Sequence, residues 1–289
     1  MKKIIGLICA WGVEDWIGPC LEQAEEYCDE VFLCVSSHNK NLNKFQDDTL
    51  KIAKEFKKTK IIINNKKSNH AEVKAEILNS MLVKSKNYKI GNWLWIMDAD
   101  EFYFIKTYKK IKSIIQKDYY EKIEFDAKFF IYNMKYYIKS NHGRLYKIKL
   151  LNLLPIKYFR FRPTQQWAPR FSKNIKTVVL KGKNEMFHYS MLTNPNMRYE
   201  QWKFEYRNSK QEYKLKWFKN IFLKFDIKKI HYWINQNYKQ NNVKNSLWLN
   251  NDFKGKKNGE LYFYNGLHPE FIEKKNLKKI KDFRKYSAK

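Results

Sequence analysis

The chain has 289 residues, 44% of them hydrophobic and 17% aromatic, enough apolar surface to close a core and to exclude a disordered chain. Its 58 Lys and Arg against 29 Asp and Glu leave a net charge of +29, which calls for an anionic partner: nucleotide phosphates, nucleic acid or an anionic membrane surface. Lys far outnumbers Arg, and Asn and Ile are abundant, a usage that an AT-rich genome would produce by itself without any functional message.

Met1-Lys2-Lys3 leads into the apolar run Ile4–Ala10, but Glu14 and Asp15 follow and no small-residue cleavage site is clear. The run therefore reads as a first core strand rather than a signal peptide. No apolar stretch is long enough to span a bilayer. Glu14–Cys28 has helical spacing, with Trp16, Ile17, Cys20, Leu21 and Ala24 on one face. Val31–Val35 is a second strand. Asp48-Thr49 opens a helix through Phe56, and either residue could cap it. Lys60–Ile63 is a third strand. Ala71–Lys84 is a third helix, with Val73, Ile77, Leu78, Met81 and Leu82 on its apolar face. Trp93–Met97 is a fourth strand. This alternation predicts an α/β fold with a mostly parallel sheet and helices on both faces. The four cysteines, Cys9, Cys20, Cys28 and Cys34, lie in the first strand-helix-strand unit without a Cys-x-x-Cys pair. They read as reduced, buried thiols of a cytoplasmic protein.

Beyond residue 102 the pattern loosens. Ile105–Gln116 reads as a short helix and the aromatic run Ala127–Tyr137 as a strand. Tyr158–Arg162, Trp167–Ser172, Thr177–Leu180 and Met186–Tyr189 read as further strands. From Pro195 the chain turns helical, aromatic and basic, with 23 Lys and Arg against 9 Asp and Glu in residues 193–289. A soft boundary near Leu192 divides a first domain, 1–192, from a C-terminal helical extension, 193–289. Trp217, Phe218, Ile221, Phe222 and Phe225 fall on one helical face there, with Lys216, Lys219 and Lys224 elsewhere around it. Such a helix either lies on an anionic membrane or packs on the rest of the protein. Trp202, Tyr206, Trp233 and Trp248 pack in this part or stack on a ligand's rings.

The fourth strand stops abruptly at Asp98-Ala99-Asp100-Glu101. In open α/β sheets the carboxyl edge of the strands is where ligands bind. Two Asp side chains one residue apart suit a hard divalent cation, which favours oxygen ligands. The same residues also read as a solvated acidic turn. No glycine-rich phosphate loop is present: Gly6 and Gly12 do not make Gly-x-Gly-x-x-Gly, and Gly-Lys-Ser/Thr is absent. That excludes the usual dinucleotide dehydrogenases and P-loop enzymes. A bound diphosphate would then need positive charge from elsewhere, and an ion on Asp98 and Asp100 would supply it.

Several segments resemble the glycosyltransferases of GT-A fold, and in particular their family 2 branch. Ala10-Trp11-Gly12-Val13-Glu14-Asp15-Trp16-Ile17 resembles the family's first strand-to-helix turn. Asp48-Thr49-Leu50-Lys51-Ile52-Ala53 resembles the Asp-x-Thr segment after the second strand. Trp93 through Phe102 resembles the metal-binding strand with its Asp-x-Asp-Glu motif. Met186-Phe187-His188-Tyr189-Ser190 resembles a later strand bearing a His near the metal. Together they cover residues 1 to about 192, in the family's order. The chain departs from the pattern at Val13, where Asn is typical, and after the second strand, which ends in Val35-Ser36-Ser37-His38-Asn39 without an acid.

The resemblance implies a GT-A-type, Rossmann-like sheet and an inverting sugar transfer from a UDP- or GDP-sugar to a glycan or lipid-linked acceptor. It implies Mg²⁺ or Mn²⁺ on Asp98, Asp100 and His188, and donor contacts at Ala10, Glu14 and Asp98. Glu14 also serves simply as a first-turn acid complementing the helix dipole, and His188 as a hydrogen-bonded core histidine. Inversion needs a general base; Glu185, Glu101 and Asp126 are the candidates, and Glu101 could instead fix an Arg or Lys. Arg170 offers a planar donor fork to diphosphate. The expected setting is the cytoplasm, with peripheral attachment to an anionic inner membrane face. A nucleic-acid-binding protein is the alternative that the charge and aromatics suggest, and it lacks any zinc-finger or helix-turn-helix signature. A non-catalytic relative serving as a scaffold is a third, which the intact Asp98 and Asp100 argue against.

Overall fold

A computed structural model of the chain describes residues 1–37, 40–64, 70–149, 159–162, 166–169, 175–206, 215, 218–223 and 262–275. In chain order the strands and helices are β1 (Ile4–Ala10), α1 (Glu14–Tyr27), β2 (Glu30–Val35), α2 (Thr49–Ala53), β3 (Thr59–Ile63), α3 (His70–Val83), β4 (Trp93–Asp98), β5 (Glu101–Phe102), α4 (Ile105–Lys117), β6 (Lys122–Phe130), β7 (Tyr136–Lys147), β8 (Phe159–Arg162), β9 (Gln166–Pro169), β10 (Thr177–Leu180), β11 (Met186–His188), α5 (Pro195–Tyr206), β12 (Tyr262–Phe263) and α6 (Glu270–Lys274). The chain divides into two compact units: 1–127 with 141–188 and 267–277, and 128–140 with 189–266 and 278–289.

In the first unit the apolar runs become a parallel sheet in the order β3-β2-β1-β4, with helices as crossovers. The α/β expectation holds: the sheet is mixed, with a parallel core and helices around it. Strands buried on both sides are expected to be apolar throughout. All six residues of β2 are buried, and so are the first five of β4. One cluster gathers Ile5, Leu7, Phe32, Leu78, Met81 and Leu94. Another is aromatic, with Tyr103 and Tyr108 each 5.3 Å from Trp95 in ring-centroid distance. Beyond β4 the sheet turns antiparallel, through Leu94 opposite Tyr146 on β7. β10 runs parallel to β6, and β11 pairs antiparallel with β5. None of the four cysteines, all described, is in a disulfide.

Two local expectations are corrected. Neither Asp48 nor Thr49 caps α2 with its side chain. The acid that matters is Asp47: its Oδ1 accepts the Thr49 N–H at 3.0 Å and its Oδ2 the Glu14 N–H at 2.9 Å. Thr49 Oγ1 accepts the Val13 N–H at 2.9 Å. The loop before α2 thus satisfies donors that α1 leaves open at its start. The second correction concerns Ala127–Tyr137, which is not one strand but the end of β6, a turn and the start of β7. Tyr132 has a φ of 68° and Asn133 Oδ1 accepts the Lys135 N–H at 2.8 Å. The aromatic β-formers on both sides hid that turn from a pattern search.

A buried carboxylate anchors the far end of β2. The Glu30 side chain is only 3% exposed and is paired with Lys60. It also accepts from Ser85 Oγ at 2.5 Å and from Asn87 Nδ2 at 3.2 Å. Burial alone would raise this carboxyl, but Lys60 and Ser85 outweigh it and hold it below the usual carboxylate value. Below that value the unfolded chain binds more protons here than the folded one, so stability falls as pH falls. We expect wild type to lose more stability than Glu30→Gln between pH 6 and pH 3, read as the difference in urea midpoint; parallel losses would contradict this account.

The second unit is aromatic. The Phe130 and Tyr189 rings stack at 4.9 Å, Trp202 meets Phe218 edge-on at 5.0 Å, and Tyr132 stacks on Phe222 at 5.0 Å. Tyr262 and Phe263 on β12 pair with Tyr137 and Tyr136. Phe218–Phe222 forms a π-type turn in which Phe218 and Phe222 are buried. Trp217, Phe225, Trp233 and Trp248 lie outside the described residues. Among the described residues no helix is long and apolar enough to cross a membrane.

Candidate active site

The strand order places β1 between β2 and β4: the crossover from β1 leads to β2 and that from β3 returns to β4, so the order changes direction between β1 and β4, the place where open α/β sheets bind ligands at their carboxyl edge. Asp98 ends β4, opposite Cys9 on β1. A turn through Ala99-Asp100 reverses the chain into β5, whose Glu101 faces His188 of β11 across the ladder. Local strand ends and one cross-strand register therefore bring Asp98, Asp100, Glu101 and His188 together. Glu101 is fully buried, and Asp100 and His188 are nearly so, at 5% and 7% exposure.

His188 Nε2 lies 3.3 Å from Asp100 Oδ1, and its Nδ1 lies 3.8 Å from Glu101 Oε1. Two cations share the cluster. Lys74 of α3 donates to Asp98 Oδ1 at 2.7 Å. Arg144 of β7 donates through Nη2 to Asp98 Oδ2 at 2.9 Å and also to Glu101 Oε1. The Asp98 N–H reaches Glu101 Oε2 at 3.3 Å. Gln23, wholly buried on α1, closes the frame. It donates to the Glu101 carbonyl at 3.0 Å and accepts the Tyr103 N–H at 3.2 Å. His142, two residues before Arg144, packs its ring edge-on to His188 at 5.6 Å.

The carboxyls differ in electrostatic state. Burial would raise Asp98, but Lys74 and Arg144 overcome it and hold the group well below the usual carboxylate range. Burial raises Glu101 to about 7, with Arg144 opposing and Asp98 adding to the rise. Burial, then the Arg144 charge, keeps His142 well below the ordinary histidine range. One cluster thus holds a firmly ionised carboxylate beside a carboxyl that titrates near neutrality, the separation that acid-base chemistry requires.

The donor set fits a divalent cation. Asp98, Glu101 and His188 each offer one ligand atom, all within 4.8 Å of one another. Two carboxylate oxygens and an imidazole nitrogen suit Mg²⁺ less well than Mn²⁺, which accepts both donor types. Asp100, expected as a ligand, stands beside His188 instead of within that triad.

Glu185 is half-buried and precedes β11, three residues before His188. Asp126 accepts from Asn141 Nδ2 at 3.2 Å. Ala10 is buried at the end of β1, its carbonyl accepting the Ser36 N–H at 3.2 Å. Glu14 accepts the Asp48 N–H at 3.2 Å and so ties α1 to the loop before α2. Arg170 lies outside the described residues. Next to Ala10, a cavity of about 210 Å³ opens over the ends of β2 and β3, lined among others by Trp11, Ser36, Ser37, Asp47, Thr49 and Asn64. The two serines are engaged, Ser36 with the Asn64 carbonyl at 2.9 Å and Ser37 with Asn43 Oδ1 at 2.7 Å.

Lys74, Arg144, Gln23 and His142 were not singled out by sequence. Lys74 left a trace, since Leu78 and Met81 at i+4 and i+7 put it on the apolar face of α3. Arg144 left less: it alternates with His142 and Tyr146, but the polar run Lys139–Gly143 before it looks like a loop.

No protein-family profile matches the sequence, and no curated protein matches it. Among solved structures the chain is similar to TarS of S. aureus, at 15% identity over 81% of this chain and 48% of that one, with a TM-score of 0.40. The chain thus spans about half the length of that protein. It is similar also to TarS 1–349 in complex with UDP-GlcNAc, at 14% identity over 81% of this chain and 79% of that one, with a TM-score of 0.42. A third likeness is 4-diphosphocytidyl-2C-methyl-D-erythritol synthase, at 14% identity over 52% of this chain and 78% of that one, with a TM-score of 0.35. At these identities and scores the likenesses assign this chain neither an activity nor a substrate.

Proposed function

We propose that the chain is a glycosyltransferase that takes a sugar from a UDP- or GDP-sugar and passes it to a glycan or lipid-linked acceptor. The observation that carries this reading is the cluster of a partly exposed Asp98 with the buried Asp100, Glu101 and His188 at the carboxyl edge of β4, with Lys74 and Arg144 beside it. Such an edge is where open α/β sheets bind ligands, and the sequence resemblance reaches the same residues. The net charge of +29 favours an anionic substrate.

In this reading Asp98, Glu101 and His188 hold Mg²⁺ or Mn²⁺, and Asp100 orients His188. When bound, the ion neutralises charge on the departing nucleoside diphosphate. Lys74 and Arg144 keep Asp98 ionised. The cavity beside Trp11 receives the nucleoside, with Asp47 and Asn64 as polar contacts. The transfer inverts configuration, and the acceptor hydroxyl loses its proton to Glu185, with Asp126 as the other candidate once Glu101 is a ligand. A lipid-linked acceptor would bring the basic C-terminal part to an anionic cytoplasmic membrane face, building polysaccharide or lipopolysaccharide.

Calorimetry with a panel of UDP- and GDP-sugars tests the reading. We expect one donor to bind in Mn²⁺ and to lose at least tenfold in affinity in EDTA. Equal affinity in both would remove the metal from the account, and no binding of any donor would remove the donor site.

A further inference from the structure

The expected cation ligands are not waiting open. Both oxygens of Asp98 already face protein cations, Lys74 at 2.7 Å and Arg144 at 2.9 Å. Arg144 Nη2 also meets Glu101 Oε1, so one guanidinium nitrogen bridges two of the three groups able to hold an ion. Arg144 and Lys74 set two positive charges against the three carboxylates Asp98, Asp100 and Glu101, leaving one formal negative charge. A guanidinium is weakly hydrated and suited to buried carboxylates, and the Arg144 side chain is only 7% exposed.

We propose that Arg144 is a resident counter-ion of this cluster that competes with divalent cations for Asp98 and Glu101, so that the protein binds a free metal ion weakly. An ion on Asp98 and Glu101 would compete with Nη2 for their oxygens, and its two positive charges would enter beside those of Lys74 and Arg144. Arg144 therefore acts on the ion through the carboxylates, as a positioning residue. The proposal rests on the reading of the cluster as a cation site. Its consequence is that free metal ion alone binds weakly, and that anionic donor phosphates tighten its binding by offsetting the added charge.

The probe is Mn²⁺ alone, titrated at low ionic strength and pH 8 and followed by loss of the free-ion EPR signal. Arg144→Gln should bind Mn²⁺ about tenfold or more tightly than wild type, because a unit positive charge a few Å from the ion is removed. Arg144→Lys, which keeps the charge on a single ammonium, should fall between them. The gain should vanish in Arg144→Gln combined with Asp98→Asn. A purely structural Arg144 would give weaker Mn²⁺ binding in Arg144→Gln, and that result, or equal binding, overturns the proposal. If Arg144→Gln does not fold, Arg144→Lys carries the test, and affinity equal to wild type overturns it. Absence of Mn²⁺ binding in every protein would overturn the cation-site reading along with it, whereas equal binding in all leaves that reading standing and removes only Arg144's role.

Discussion

Replacing Asp100 with Ala is expected to reduce nucleotide release from the preferred sugar donor by about 10–100-fold, with thermal unfolding changed little. Asp100 is buried, and its Oδ1 lies 3.3 Å from His188 Nε2. Of the four clustered residues it is the one outside the triad whose atoms could hold a single ion. Losing a carboxylate that orients a ligating histidine typically costs 10–100-fold in metal affinity or activity. Asp100→Asn, which keeps a polar partner for His188, should fall between Ala and wild type. Steady-state release measured in saturating Mn²⁺ decides the matter: rates within about threefold of wild type for Asp100→Ala would take Asp100 out of the chemistry.

The second large effect concerns stability. Glu101→Ala should destabilise the protein by about 3–5 kcal/mol, the range for breaking a buried ion pair by removing one partner. Arg144 then keeps Asp98 as its carboxylate but loses the fully buried one. Arg144→Met should cost less. A buried carboxyl can take up a proton and become neutral, whereas a guanidinium cannot shed one. The double variant Glu101→Ala with Arg144→Met should lose less than the sum of the two single changes, because the charges disappear together. Urea unfolding of the four proteins measures this cycle. A larger loss for Arg144→Met than for Glu101→Ala would contradict the argument, as would simple additivity.

The parts of this molecule that were legible in the sequence share one property: they are fixed by short-range pattern. β1 matches its apolar run at both ends, and Asp98-Ala99-Asp100 stood out because an apolar strand stopped there. His188 was found through the order of motifs. The parts that were hidden depend on contacts between distant segments. Arg144 and Lys74 are buried only because Asp98 and Glu101 wait for them across the sheet, 46 and 24 residues from Asp98 respectively. Gln23 looked like an ordinary polar position on α1 until the Glu101 carbonyl and Tyr103 N–H met it. The turn at Tyr132-Asn133 was masked by aromatic β-formers on both sides. The acid cluster itself was legible, but its division of labour was not. Asp98 is the carboxylate that the protein's own cations hold ionised, Glu101 the one that burial raises, and Asp100 the one beside His188.

The measurement closest to the central claim is nucleotide release from a panel of UDP- and GDP-sugars, run in Mn²⁺, Mg²⁺ and EDTA with wild type and Asp100→Ala. The account predicts that one donor turns over with wild type in Mn²⁺ or Mg²⁺, and that EDTA and Asp100→Ala each suppress it. No donor turnover or binding under any condition, together with tight, salt-sensitive binding of nucleic acid, would contradict it.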